Sequence, residues 1–184
     1  RKVRLMIDVS DYQGDIDWKA VKTAGVDGAI IKCGFGSDYD FQDDKCFEQN
    51  VKGCIEAGIP FGVYLYSYAY DEAMAKSEAA HVLRLIEPYK DKISLPVYID
   101  LEEQSCKYAY ALVASVFCNT IKAAGYKAGV YTGVSAWNAI KSKVGNVSVW
   151  IAYWGNNDGS VPSDGVGFPV DLWQYTDKGR VSGI

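Results

Sequence analysis

The chain has 184 residues, 49% of them apolar, and a net charge of −4, which fits one domain with a sizeable core. No Lys/Arg block exceeds isolated pairs, which argues against a nucleic-acid surface or an anionic membrane partner, and no apolar run approaches the ~18 residues that a membrane span needs. Tyr and Trp are abundant, at 14 and 5 copies; aromatics with a polar edge suit wet binding surfaces and hint at a ligand such as sugar, though each is equally read as core.

Short apolar runs alternate with helical patterns along the chain. In the first run, VRLMIDVS (3–10), strand alternation puts Leu5, Ile7 and Val9 on one face and Met6, Asp8 and Ser10 on the other. A helix-like segment at about 17–24 is followed by Gly25, suited to a left-handed C-terminal cap. The second run, GAIIKCGFG, offers Ile30, Lys32 and Gly34 opposite Ala29, Ile31 and Cys33. A helical pattern over about 43–57 then ends at Gly58. The third run sets Phe61, Val63 and Leu65 against Gly62, Tyr64, Tyr66 and Tyr68. The next helical pattern, about 71–87, stops at Pro88. It carries His81, the single histidine, among core-spaced apolar residues, and reads as structural. Chemistry then falls to carboxylates.

The fourth run, LPVYIDLEE (95–103), ends in three acids. Val97, Ile99, Leu101 and Glu103 share one face; Tyr98, Asp100 and Glu102 share the other. A barrel strand packing its aliphatic face on helices sends Asp100 and Glu102 inward at its C-terminal end, where catalytic groups gather in parallel α/β barrels, and turns Glu103 away. Two such carboxylates repel each other and raise at least one pKa, a strain met mainly where an acid must stay protonated. Asp8 alone is as readily a satisfied polar core residue neutralised by Lys32. A helical stretch at about 108–124, closed by Gly125, leads to KAGVYTG and the short helix SAWNAIKSK. From 145 onward there are strands, VSVWIAYWG and VDLWQYT, around a polar surface loop at 155–167. Strand–helix alternation implies an α/β fold with parallel strands and crossover helices. Cys33, Cys46, Cys54, Cys106 and Cys118 show no CxxC or Cys/His metal spacing and read as small buried thiols; no metal or cofactor is expected.

The segments MIDVSDYQGDIDW (6–18), GVYLYSYA (62–69), VYIDLEE (97–103), AGVYTG (128–133) and WIAYW…WQYT (150–176) resemble glycoside hydrolase family 25, the Chalaropsis-type lysozymes, over nearly the whole chain and in the same order. The resemblance implies one catalytic domain over 1–184, an irregular TIM-like barrel of five β/α units followed by three strands. It implies an N-acetylmuramidase that cuts the β-1,4 bond between N-acetylmuramic acid and N-acetylglucosamine in peptidoglycan, with Glu102 as proton donor and Asp100 and Asp8 as companion acids. Tyr64, Tyr66, Tyr131 and Trp154 would line the sugar groove, with Gln13 and Lys32 supporting. The expected protein is a monomer, extracellular or cell-wall associated, with peptidoglycan as its partner. Family members end with a further short strand carrying another acid; this chain reads GRVSGI to Ile184, and neither Asp171 nor Asp177 matches that motif. The mechanism expected has Glu102 raised by Asp100, with Asp100 ionised to orient the substrate's acetamido group or, with Asp8, to activate water. Two alternatives stand: a non-hydrolytic wall-binding barrel, and a chitinase-like barrel. The latter usually carries an upstream acidic series, absent from Leu95, Pro96, Val97, Tyr98 and Ile99.

Overall fold

The computed structural model describes residues 4–184. Its strands are β1 (Met6–Val9), β2 (Gly28–Phe35), β3 (Phe61–Tyr66), β4 (Ile93–Asp100), β5 (Ala128–Gly133), β6 (Ser148–Ala152) and β7 (Leu172–Gln174). They form one sheet in chain order, every pair parallel. Helices α1 (Trp18–Thr23), α2 (Phe47–Ala57), α3 (Glu72–Ile86), α4 (Tyr110–Ala123) and α5 (Val134–Ile140) follow β1 to β5 in turn. These are the five expected β/α units. Two of the three closing strands are present among the described residues. Where the third is expected, the Gly- and charge-rich tail makes turns, and its Gly183 carbonyl accepts from the Asp17 N–H at the start of α1 (2.9 Å).

Strand alternation sorts the residues into two layers. The outward set, including Val9, Ile31, Val63, Leu65, Val97, Ile99, Leu101 and Val130, packs with the apolar faces of the helices in one core. The inward set is a second, smaller cluster of Ile30, Tyr98, Tyr131 and Trp150, with Met6, Tyr64 and Leu172 against it. Trp150 is its hub: the Tyr131, Tyr98 and Tyr64 ring centroids lie 4.4, 5.3 and 5.8 Å from its own. Edge-to-face and tilted contacts of this kind suit aromatic quadrupoles. Gly129 makes room for the cluster, since a Cβ there would sit 2.3 Å from the Tyr98 ring.

Local chemistry sets the element ends. The Asp17 carboxylate accepts from the Lys19 and Ala20 N–H groups, and Asp71 from Met74, satisfying donors that open a helix. Gly25, Gly58 and Gly125 all have positive φ (88°, 64° and 92°) where the helices end, as their positions predicted. The segment predicted as helical from 43 enters α2 only at Phe47. Asp44 delays it: its carboxylate accepts from the Asp11 and Cys46 N–H groups (3.1 and 3.0 Å) and holds the preceding chain in a turn. Buried His81 joins the same region, its ring nitrogens 3.0 Å from the Gly36 carbonyl and 2.7 Å from Asp43 Oδ1. Arg84 also pairs with Asp43 (2.7 Å). All five cysteines are free thiols; burial pushes those of Cys54 and Cys118 up to about 12.

Candidate active site

The acids that end β4 divide by the pleat. Asp100 points inward and is 3% exposed, and its Oδ1 has no hydrogen-bond partner among the described residues. Glu102, two positions on, stands more open to solvent. Glu103 caps the following turn, accepting from Ser105 N–H (3.2 Å) and Ser105 Oγ–H (2.7 Å); these bonds first, and one from Tyr66, hold its carboxyl below its usual range. Strand register puts Tyr66 of β3 and Tyr131 of β5 on either side of Asp100, and pairs Lys32 of β2 with Tyr64. Lys32 Nζ lies 5.6 and 6.0 Å from the ring centroids of Tyr12 and Phe35. Rings continue outward from there, with Phe35 against Tyr68 and Tyr68 against Tyr66, at 6.2 and 5.1 Å.

The three inward carboxyls hold their protons more tightly than usual. Burial is the largest cause for each. Asp100 is raised well above the ordinary range, by burial, then by the charges of Glu102 and Asp8, against the pull of Lys32. Glu102 is raised by burial and then by Asp8, again against Lys32. Asp8 is raised by burial, while the hydrogen bond from Gln174 lowers it. The sequence reading had Asp100 charged and acting on Glu102. The repulsion between the two is mutual; because Asp100 lies deeper it is the costlier one to ionise, so burial and its neighbours' charges oppose the charge expected on it.

Gln174, which the sequence reading did not single out, joins three of the predicted residues. Tyr131 Oη–H and Trp154 Nε1–H both donate to its Oε1 (2.8 and 2.9 Å), and its Nε2–H donates to Asp8 Oδ2 (3.1 Å). Two donors on one amide atom identify it as the oxygen, so the amide orientation is fixed by chemistry. A signal was available: Gln174 is the polar residue two places after inward Leu172 in the VDLWQYT run. Gln13 is spent differently. Its Oε1 accepts from the Ser10 N–H (2.8 Å) and closes a cap on the turn after β1, which leaves Gln13 at the rim of a cleft of about 910 Å³ between β1 and β7. Asp8, Ile30, Trp150 and Gln174 line the same cleft. Among the described residues, no group of three or more His, Cys, Asp or Glu side chains is placed to hold a metal ion.

Comparison with known proteins shows the family and the fold. The sequence profile of Glycosyl hydrolases family 25 matches residues 7–184. Lysozyme M1 of Streptomyces globisporus is 32% identical over 193 residues, covering 97% of this chain; the chain spans 63% of that relative's length. The catalytic domain of endolysin ply40 from bacteriophage P40 of Listeria monocytogenes superposes with a TM-score of 0.88 at 27% identity, covering 100% of this chain and 89% of that one. The modular autolysin LytC of Streptococcus pneumoniae, in complex with a synthetic peptidoglycan ligand, gives a TM-score of 0.77 at 28% identity over 97% of this chain and 44% of its own. With a profile match from the first strand to the last residue and inward acids on β1 and β4, the chain belongs to glycoside hydrolase family 25.

Proposed function

We propose that the chain is a muramidase that hydrolyses the β-1,4 bond between N-acetylmuramic acid and N-acetylglucosamine in peptidoglycan. The observation that carries this reading is the pair of raised carboxyls at the end of β4: Asp100, which the register sets between Tyr66 and Tyr131, and Glu102 two residues on. Glycosidic cleavage needs a proton for the leaving oxygen and negative charge near the oxocarbenium-like centre. Glu102 is the more open acid of the pair, and its raised pKa keeps it protonated further toward neutrality, as a general acid requires. Asp100 is a poor nucleophile because burial disfavours its charge. Its unpartnered Oδ1 suits the N–H of an acetamido group, which a carboxyl oxygen accepts in either protonation state. The acetamido carbonyl oxygen then closes on the anomeric carbon as Glu102 protonates the departing oxygen. Water, giving its proton to the Glu102 carboxylate, opens the resulting ring and leaves N-acetylmuramic acid as the new reducing end. Tyr64, Tyr66 and Trp154, each partly exposed, offer aromatic surface for the sugars, while Tyr131 is buried against Trp150 and serves the site through its hydrogen bond to Gln174. Lysozyme M1 and the autolysin bound to a peptidoglycan ligand support this reading.

We read residues 1–184 as one catalytic domain that acts on the wall, outside the membrane. Among the described residues no helix is long and apolar enough to cross a bilayer. The deciding measurement is a turbidity assay on purified bacterial walls with mass analysis of the soluble products. Fragments ending in reducing N-acetylmuramic acid are expected. Intact walls with the protein bound would instead identify a binding module, and cleavage of chitin oligomers alone would identify a chitinase-like enzyme.

The charges predict a pH effect. Asp8 is the largest charge raising Glu102. Asp8→Asn removes it, so Glu102 loses its proton at lower pH, and the alkaline limb of the activity profile shifts to lower pH. The three acids titrate as a coupled set, so the limb reports their joint behaviour. A limb that stays in place in Asp8→Asn would contradict this coupling.

A further inference from the structure

Glu78 is a buried acid that the mechanism above does not use. It sits on α3, 0% exposed, facing the turn by which the chain leaves β3. Ser67 Oγ–H donates to its Oε2 (2.7 Å) and the Tyr68 N–H to its Oε1 (2.8 Å). Ser67 Oγ in turn accepts from the Ala69 N–H (3.2 Å). The turn is also fastened on its other side. The Ser67 N–H donates to the backbone carbonyl of Asp100 (3.0 Å), and Cys106 Sγ–H donates to the Tyr68 carbonyl (3.4 Å). One carboxylate thus orders three consecutive residues, and the first of them touches the last residue of β4. The same turn begins at Tyr66, which pairs with Asp100 in register, and carries Tyr68, whose ring meets those of Tyr66 and Phe35.

A buried carboxyl is an expensive way to close a turn, because ionising it away from water is unfavourable. Burial pushes Glu78 up to about 7, although Ser67 and the turn amides pull it down. An acid kept there at that cost suggests a demand on geometry at the neighbouring site.

We infer that Glu78 is a positioning residue for glycan cleavage: through Ser67 and Tyr68 it fixes the end of β3 against the end of β4, setting Asp100, Glu102 and the Tyr66 and Tyr68 rings in working geometry. This rests on the hydrolytic reading above. Glu78 touches neither sugar nor the reacting atoms, so its loss acts on turnover through the acid pair. Sub-ångström misplacement of catalytic groups lowers rates steeply, so a loosened turn is expected to lower kcat about tenfold while KM moves less than about twofold.

The test compares Glu78→Gln, Ser67→Ala and the double variant with the unaltered chain on a soluble peptidoglycan tetrasaccharide. kcat and KM are separated at 25 °C, with folding followed by circular dichroism and thermal melting. Both single variants are expected to fold and to lose about tenfold in kcat, and the double variant to lose no more than either single, because both break one link. Ser67→Ala, a smaller change, decides the matter alone if Glu78→Gln does not fold. Unchanged kcat in a folded variant whose melting temperature has dropped would overturn the inference, leaving Glu78 merely structural. A double variant as slow as the product of the singles would overturn it too. No turnover by the unaltered chain would overturn the hydrolytic reading itself, and the inference with it.

Discussion

Glu102→Gln lowers glycan cleavage about 10²–10⁴-fold, the range that general acid catalysis contributes. The amide matches the carboxyl in size but cannot give a proton to the leaving oxygen. Glu102 stands more open than Asp100 and has no side-chain hydrogen bond among those described, so the substitution strands no partner. Fold and sugar affinity are therefore expected to survive. The check is the initial rate of new reducing ends on a soluble peptidoglycan fragment, with binding of the same fragment followed calorimetrically. Near-normal rates in Glu102→Gln would remove this residue from the acid role. A lost rate with lost binding would point to groove damage instead.

Asp100→Asn gives the second large effect, and it runs in opposite directions for rate and stability. Turnover falls about 10²–10³-fold, the size met when one preorganised electrostatic contact to a transition state is lost, because the amide keeps an acceptor oxygen but cannot carry negative charge as the acetamido N–H turns positive on ring closure. Stability rises, because Asp100 is buried with an unpartnered oxygen and is disfavoured as an anion by burial, by Glu102 and by Asp8. Its pKa in the folded chain is raised above the unfolded value of about 3.9, so its contribution to stability is fully present below that value and is lost as pH rises through the folded value. Asn carries no such dependence. The gap between the Asn variant and the unaltered chain should widen as pH climbs from about 4 toward neutrality. It should reach about 1–3 kcal/mol, or about 2–4 °C in Tm per kcal/mol for a chain of this size. Melting curves at several pH values check this. A variant that melts lower at neutral pH would mean that Asp100 supports the fold rather than straining it.

Much of this architecture was legible because two strand rules are strong. Alternation sorted Val97, Ile99 and Leu101 from Tyr98 and Asp100 without any coordinates, and the structure places the first three in the outer core and Tyr98 in the separate inner cluster. Glycine spacing found three helix ends for the same reason: few other residues tolerate positive φ. What alternation does not carry is depth. It set Asp100 and Glu102 inward together but could not say that Asp100 lies deeper, and so it could not say which of the two acids burial makes the harder to ionise. Nor does it carry contacts between residues far apart in the chain. Gln174 reaches Asp8 across 166 positions, and Glu78 meets Ser67 only because α3 folds back on β3. Gln13 shows the opposite failure: it lies where its motif predicts, yet its side chain is consumed by a local cap.

Among the described residues, β1 and β7 each hydrogen-bond to one strand only, and the side-chain link from Gln174 to Asp8 spans the seam between them. Unpaired strand margins are where foreign chains add on and insoluble assemblies start. Here those margins run for only 4 and 3 residues, too few to template a growing stack, so brevity guards the protein against aggregation where ring closure does not.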